Sequence, residues 1–99
     1  MIIVAGTVQI KPEMRDVAIQ IALKMAQATQ AETGCIVYKF YADLKEATTF
    51  FVFEAWESEE ALAQHFQTEH MAEFRQHLPN LLAGEMDMKR YDVAAATAL

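Results

Sequence analysis

The chain has 99 residues and a mass of 11.2 kDa, which is the size of one domain, so we expect no second domain within it. Fourteen acidic residues against eight basic ones give a formal charge of -6, the wrong sign for binding nucleic acid or an anionic membrane surface. Hydrophobic residues make up 54% of the chain, which is high for so small a protein, so part of the apolar surface is expected to contact another subunit.

Cysteine use and the first residues bear on the cellular compartment. Cys35 is the single cysteine, so the chain forms no internal disulfide and has no Cys-x-x-Cys pair for zinc or redox chemistry. The apolar residues at the start of the chain are not preceded by a basic segment. We therefore expect them to be neither a signal peptide nor a membrane anchor. We therefore expect a soluble, cytoplasmic protein.

The first third of the chain predicts a strand followed by a helix. Apolar residues alternate over residues 2–10, which is the period of a strand, and Pro12 follows its end. Over residues 13–31 apolar side chains recur every three or four positions, as in an amphipathic helix. Gly34 marks the point where this helix has stopped.

The middle of the chain predicts a hairpin. Residues 35–43 read as a strand, and residues 48–57 read as a second one, dense in β-branched and aromatic side chains. A polar turn joins them. Alternation in the first of these strands predicts that the following side chains share one side: Ile36, Tyr38 and Phe40.

Two helical stretches and a last strand follow. Ser58 predicts a helix N-cap, and a short helix is expected to end near residue 66. Thr68 predicts a second cap, and the helix after it is expected to be interrupted at Pro79. Residues 85–93 predict the final strand.

The resulting order is β-α-β-β-α-β, the split βαβ arrangement of an α+β protein with an antiparallel sheet. We expect one domain over residues 1–93 and a C-terminal tail over residues 94–99. Phe51 and Phe53 make the second face of the third strand apolar as well. One helical layer covers one face of a sheet, so we expect a homodimer whose sheets enclose a cavity.

An RNA-binding module has the same strand order and is the alternative to exclude. It requires a basic, aromatic strand of the form Lys/Arg-Gly-Phe-Gly/Ala-Phe-Val, which this chain lacks. Residues 54–73 contain six glutamates and no lysine or arginine. Nucleic acid is therefore not an expected partner.

Three segments carry a resemblance to a known family. They are Glu32-x-Gly34-Cys35-x-x-Tyr38, Phe50-x-x-x-Glu54-x-Trp56-x-Ser58-x-Glu60-Ala61-Leu62-x-x-His65 and Thr68-Glu69-His70-x-x-x-Phe74. The chain resembles the antibiotic biosynthesis monooxygenase family over roughly residues 2–92. The resemblance implies a ferredoxin-like protomer, a dimeric α/β barrel and a pocket between sheet and helices.

The family includes quinone-forming oxygenases that use no cofactor, and also haem-degrading enzymes. The haem-degrading branch is distinguished by an asparagine on the first strand, a tryptophan in the short helix and a haem-ligating histidine. At these places this chain has Ala5 or Gly6, then His65, then Arg75. The resemblance thus favours the cofactor-free branch, and no cofactor is predicted.

Oxygen insertion without a cofactor requires a base, and two histidines are candidates for it. His65 lies in the short helix after the aromatic strand, where it could instead be a neutral, hydrogen-bonded residue that fills a gap. His70 lies near the start of the next helix, whose dipole disfavours its protonated form, and could instead be a partly exposed helix residue. His77 is expected on the surface.

The same segments contain residue types that bind metal ions. The ligand types are present in His65, Glu69, His70 and Glu73. Gln67-Thr68 is expected to break the helix between the two histidines and to point them in different directions. No metal site is predicted.

Aromatic residues are the candidate walls of a substrate pocket. Trp56 offers a flat face and one N–H donor. Tyr38 and Tyr41 lie on opposite faces of their strand, and Tyr38 is predicted to face the cavity together with Phe40. Phe74 is expected to close the same space from the helix. The alternative for each is an ordinary core aromatic.

Glu54 is a carboxyl on an otherwise apolar strand face, between Val52 and Trp56. Such a group must be paired or protonated. Lys39 or Arg90 is the expected partner, and a structural ion pair is favoured over a catalytic acid.

The leading hypothesis is a homodimeric, cofactor-independent monooxygenase that oxidises a small phenolic, quinol or polyketide-like aromatic molecule with dioxygen. His65 and His70 are its predicted catalytic residues, and Tyr38, Phe40, Trp56 and Phe74 its substrate-binding residues. The alternative is a barrel that binds a small molecule, or is associated with stress, and performs no reaction. A third possibility is a dimer whose cavity is filled by its own side chains.

Overall fold

A four-stranded antiparallel sheet carries all the helices on one face in the computed structural model, which describes residues 1–99. The elements are β1 (Ile2–Gln9), a 3-10 turn (Pro12–Met14), α1 (Arg15–Gln30), β2 (Cys35–Ala42), β3 (Thr49–Trp56), α2 (Glu59–His65), α3 (Glu69–Leu81) and β4 (Asp87–Asp92). The strand order is β2-β3-β1-β4. The predicted ferredoxin-like α+β class is therefore confirmed. None of the helices is both long and apolar enough to cross a membrane.

The inner face of the sheet carries the core. Ile2 lies opposite Trp56, and Val8 lies opposite Phe50, so side chains of β1 and β3 meet on the helix-covered side. The buried residues form two clusters, one around Trp56 and the other around Phe50. Met25 of α1 packs in the first cluster. The alternation in the sequence thus selects the face that the helices cover.

A bulge at the start of β2 changes one predicted orientation. The register shifts between Cys35 and Val37, so Ile36 is an extra residue and is exposed. Tyr38 and Phe40 face the helices as predicted, but the prediction that Ile36 joins them is wrong. The bulge adds one residue to β2 that has no partner on β3, so the inward and outward directions of the side chains before it are the reverse of those that strict alternation predicts.

The ends of the helices follow the predicted caps, with one correction. The Ala61 N–H donates to the Ser58 hydroxyl at 3.2 Å, and the Met71 N–H donates to the Thr68 hydroxyl at 3.2 Å. Pro79 does not interrupt α3, which continues to Leu81. Proline removes one backbone N–H donor and crowds the carbonyl four residues before it, but Pro79 lies in the last turn on the exposed side, where that carbonyl can bond to water.

Gly34 lies in the turn between α1 and β2, where the backbone requires a glycine. Its φ of +87° lies in the left-handed region, which L side chains rarely adopt. A Cβ at this position would lie 2.5 Å from the Cβ of Ala61, so the residue also lets α2 pack closely against the turn. The Glu57 N–H donates to the Gly34 carbonyl at 2.9 Å, which fixes the turn to the end of β3.

We expect Gly34→Ala to lower the free energy of unfolding by about 2 kcal/mol, because it combines left-handed strain with the clash at Ala61. Urea unfolding measures the change. Gly84→Ala is the control, because a Cβ there meets no atom within 4 Å. Equal loss in the two variants would contradict the assignment of Gly34 as a required glycine.

Candidate functional site

An apolar cavity of about 230 Å³ lies between the inner face of the sheet and the helices. Three of the four predicted pocket residues line it, and they are Tyr38, Phe40 and Phe74. Trp56, the fourth, is fully buried beside the cavity and does not line it. The cavity is therefore bounded by inward-facing side chains of the strands on one side and by helix side chains on the other.

Local sequence patterns place these side chains. Alternation in β2 directs Tyr38 and Phe40 to the same face, and their rings meet edge to face at 5.6 Å. The spacing of Met71 and Phe74 in α3 turns both toward the sheet. Phe66, which follows α2, also lines the cavity and is partly exposed, so it lies at an opening to solvent.

Glu54 brings the one carboxyl group into the cavity wall. It is 7% exposed, and its Oε1 accepts a hydrogen bond of 3.0 Å from the Trp56 indole N–H. The predicted partners are wrong. Lys39 lies opposite Phe53 on the outer face, and Arg90 instead donates to Glu59 and Asp92. A neutral indole therefore takes the place of the expected cation.

Burial sets the protonation of the two polar cavity residues. Desolvation raises the pKa of Glu54 to about 7, the Trp56 hydrogen bond opposes this rise, and the charge of Glu32 adds to it. Burial, followed by the charge of Glu54, raises the pKa of the Tyr38 hydroxyl, which stays protonated and able to donate. The two residues are cross-strand partners. The cavity wall therefore holds a carboxyl group that can gain or lose a proton near neutral pH and, next to it, a hydroxyl group that stays protonated.

His65 and His70 converge on a third residue, Glu32. The distance from His65 Nδ1 to Glu32 Oε2 is 2.7 Å, and the distance from His70 Nε2 to the same oxygen is also 2.7 Å. The expectation that Gln67-Thr68 would point the histidines apart is wrong. The break turns the chain between α2 and α3, and this turn brings both imidazoles to one carboxylate.

Neither imidazole lines the cavity. His65 is 1% exposed, and its ring lies 4.8 Å from Trp56 and 5.6 Å from Tyr38, behind the cavity wall. Desolvation lowers the pKa of His65, so the ring is neutral at pH 7. His70 lines a separate groove between α1 and α3, which His77 also lines. The catalytic role of His65 and His70 stays a prediction.

Sequence reasoning used Glu32 only as part of a motif and missed its central position. The position of Glu32 in the sequence could have revealed it, because the helix dipole disfavours a carboxylate just after the end of α1. Such a carboxylate needs a partner that donates hydrogen bonds or carries positive charge. Arg75, which stands where the haem-degrading branch has its ligating histidine, donates to the Phe66 carbonyl at 3.2 Å and lies 5.9 Å from the centre of that ring. It thus holds the aromatic residue at the opening.

Comparison with known proteins identifies relatives over the whole length of the fold. Residues 1–77 match the family described as antibiotic biosynthesis monooxygenase. The uncharacterized protein sll1783 of Synechocystis is 37% identical over 98 residues, which cover 99% of this chain and 67% of that protein. YcnE of Bacillus subtilis, a candidate monooxygenase by its name, is 29% identical over 94 residues, covering 95% of this chain and 99% of YcnE.

A solved structure supports the same relationship. A candidate antibiotic biosynthesis monooxygenase from Deinococcus radiodurans superposes with a TM-score of 0.91 at 25% sequence identity. The superposition covers 100% of this chain and 98% of the other. The two chains therefore share one fold over the whole of this chain.

The pKa of Glu54 makes stability depend on pH. A carboxyl whose pKa rises from 4.5 to about 7 on folding stabilises the protein below pH 4.5, and this contribution is lost as the pH rises through 7. Glu54→Gln has no such loss. Its free energy of unfolding, relative to the parent, should therefore increase by about 2 kcal/mol between pH 5 and pH 8.

Urea unfolding at several pH values measures this difference. Glu85→Gln is the control, because Glu85 is exposed to solvent and does not line the cavity. The difference in free energy of unfolding between this variant and the parent should not change over the same pH range. A Glu54→Gln curve parallel to that of the parent would show that the carboxyl titrates in its ordinary range.

Proposed function

Because this chain belongs to the antibiotic biosynthesis monooxygenase family, we propose that it is a cofactor-independent monooxygenase acting on a small phenolic, quinol or polyketide-like aromatic molecule. The observation that carries this proposal is that Glu54 and Tyr38, neighbours across β3 and β2, both line the wall of an apolar cavity. A base near neutral pKa and a hydroxyl donor are the groups that such a reaction needs.

The size and chemistry of the cavity favour an aromatic substrate. A cavity of about 150 Å³ is enough to hold benzene, so 230 Å³ accommodates a substituted ring or two fused rings. Phe40 and Phe74, whose ring centres lie 6.2 Å apart, supply aromatic faces. Water is largely excluded from such walls, which strengthens each polar interaction inside.

We assign the role of base to Glu54 in preference to the histidines, since the carboxyl is in the cavity wall and the imidazoles are not. The indole N–H of Trp56 stabilises the charged carboxylate and fixes its direction. The Tyr38 hydroxyl donates to the oxyanion of the ionised substrate. His65 can influence this reaction only through the rings of Trp56 and Tyr38 that it contacts.

The chemistry balances without an added reductant. Glu54 takes the phenolic proton, and the electron-rich ring carbon of the anion forms a bond to dioxygen. The resulting peroxide takes up a proton. Loss of water, which carries away the hydrogen of that ring carbon and one of the two oxygen atoms, leaves a quinone. The substrate itself supplies the electrons that reduce this oxygen atom to water.

Oxygen consumption with a panel of phenols and quinols tests the proposal. We expect uptake by the purified protein, and a decrease of about 100-fold or more in kcat/KM for Glu54→Gln. Glu85→Gln and His70→Ala should retain the parent rate. A His70→Ala variant that loses activity while Glu54→Gln keeps it would transfer the role of base to the histidine.

A non-catalytic binding protein is the second candidate function, and the almost wholly apolar lining of the cavity favours it. Fluorescence of Trp56, the one tryptophan in the chain, would report binding of an aromatic ligand beside it. Binding of ligands from the panel with no oxygen uptake for any of them would select this function over the monooxygenase.

We also propose that the protein is a homodimer joined through the outer face of the sheet. Phe51 is 39% exposed and Tyr41 is 50% exposed on this face, and their rings lie 6.4 Å apart. Phe53 extends the patch at 6.5 Å from Phe51. Adjacent exposed aromatics without a covering layer are typical of a subunit interface.

Light scattering after size exclusion tests the dimer. The parent is expected to have the mass of two chains, and Phe51→Glu the mass of one. The glutamate would place an unpaired charge at the centre of the interface, and removing that charge from water costs more free energy than the contact supplies. Leu44→Glu is the control, since Leu44 is fully exposed in the turn between β2 and β3. A parent mass of a single chain would exclude the proposed interface.

A further inference from the structure

We propose that Glu32, His65 and His70 form a binding site for one divalent first-row transition metal ion, with zinc as the ion to test. The site lies outside the substrate cavity, behind Trp56 and Tyr38, and is independent of the proposed reaction. It is formed by two imidazole nitrogens and one carboxylate oxygen.

The three ligand atoms come from three separate parts of the fold and meet at one point. Glu32 follows α1, His65 is the last residue of α2, and His70 is in the first turn of α3. Their nearest nitrogen and oxygen atoms all lie within 4.8 Å of one another. Zinc at about 2.0–2.1 Å from each ligand needs ligand atoms about 3.4 Å apart, which side-chain adjustments of less than about 1 Å would provide.

The donor set matches a known kind of metal chemistry. Two histidines and one carboxylate bind zinc in sites that keep a further position open for water, and the same set binds other first-row ions. Aspartate and glutamate alone would favour calcium or magnesium, whereas the two imidazoles favour zinc and its neighbours. The ligand types therefore select the class of ion.

The charge at this point also favours a cation. Glu32 is 13% exposed and lies just beyond the end of α1, where the helix dipole is negative. No lysine or arginine pairs with it, and its partners are the two histidines alone. A bound divalent ion would compensate a carboxylate that otherwise has no cationic side chain beside it.

A route for the ion is present. The side chain of His70 is 26% exposed and lines a groove of about 210 Å³ between α1 and α3. Glu73 and His77 line the same groove, and Lys24 pairs with Glu73 at 3.3 Å across it. An ion can thus reach the site from solvent without passing through the aromatic cavity.

Zinc titration of the full chain, after removal of metals with a chelator, tests the site. We expect one Zn²⁺ per chain by calorimetry, and a rise in Tm of about 10 °C at a hundredfold excess over the Kd. His70→Ala and Glu32→Gln should each weaken binding by about 100-fold or more, since they remove ligands. Replacement of Zn²⁺ by Co²⁺ should give the visible d–d absorption of a protein-bound ion.

His77→Ala is the matched control, because His77 lines the groove but lies outside the three-residue cluster. It should bind zinc as the parent does. His70→Asn is a second variant for the case that alanine impairs folding, which circular dichroism reports. No zinc uptake by the parent, or equal loss in the His70 and His77 variants, would overturn the proposal and leave Glu32 as a hydrogen-bond acceptor only.

The test is separable from the test of catalysis. Glu54→Gln should keep full zinc binding even where it loses oxygen uptake, because Glu54 is not one of the three ligands. Failure of zinc binding with intact oxygen uptake would reject the metal site alone. Zinc binding without oxygen uptake would reject the monooxygenase alone.

Discussion

The hydrogen bond between the Trp56 indole and the Glu54 carboxyl is the interaction on which the site depends. An isolated carboxylate in an apolar layer is costly to bury, and this chain supplies one N–H donor where a cation would be the usual partner. The group therefore titrates near neutral pH and stays in the cavity wall. Trp56 is in turn fixed at the end of β3, where its ring also packs against His65.

The single helical layer explains the distribution of apolar surface. All helices pack on the inner face, so the cavity and both core clusters form there. The outer face keeps Tyr41 and Phe51 partly exposed, although aromatic side chains contribute most when they are desolvated. One sheet thus presents two different surfaces, an inner face that bounds the apolar cavity and an outer face with partly exposed aromatic side chains.

The short connection between α2 and α3 sets the positions of several side chains of the site. The Thr68 hydroxyl caps α3 and also donates to the His65 carbonyl at 2.8 Å, which ties the two helices together. This connection sets the directions of His65 and His70. It also places Phe66 at the opening of the cavity, where Arg75 holds it. One lining residue of the cavity and the histidine cluster therefore depend on the same short segment.

The sequence by itself determined the order of elements, the caps at Ser58 and Thr68 and the inward direction of Tyr38, because these depend on interactions between residues close in the chain. The bulge that exposes Ile36 depends on pairing with β3, so strand alternation alone could not reveal it. Strand alternation places Glu54 and Trp56 on one face of β3, but only the tertiary structure decided that neither Lys39 nor Arg90 reaches Glu54 and that Glu32 joins both histidines. Glu32 is 33 positions from His65 and 38 positions from His70, and helix packing rather than periodicity brings these three residues together.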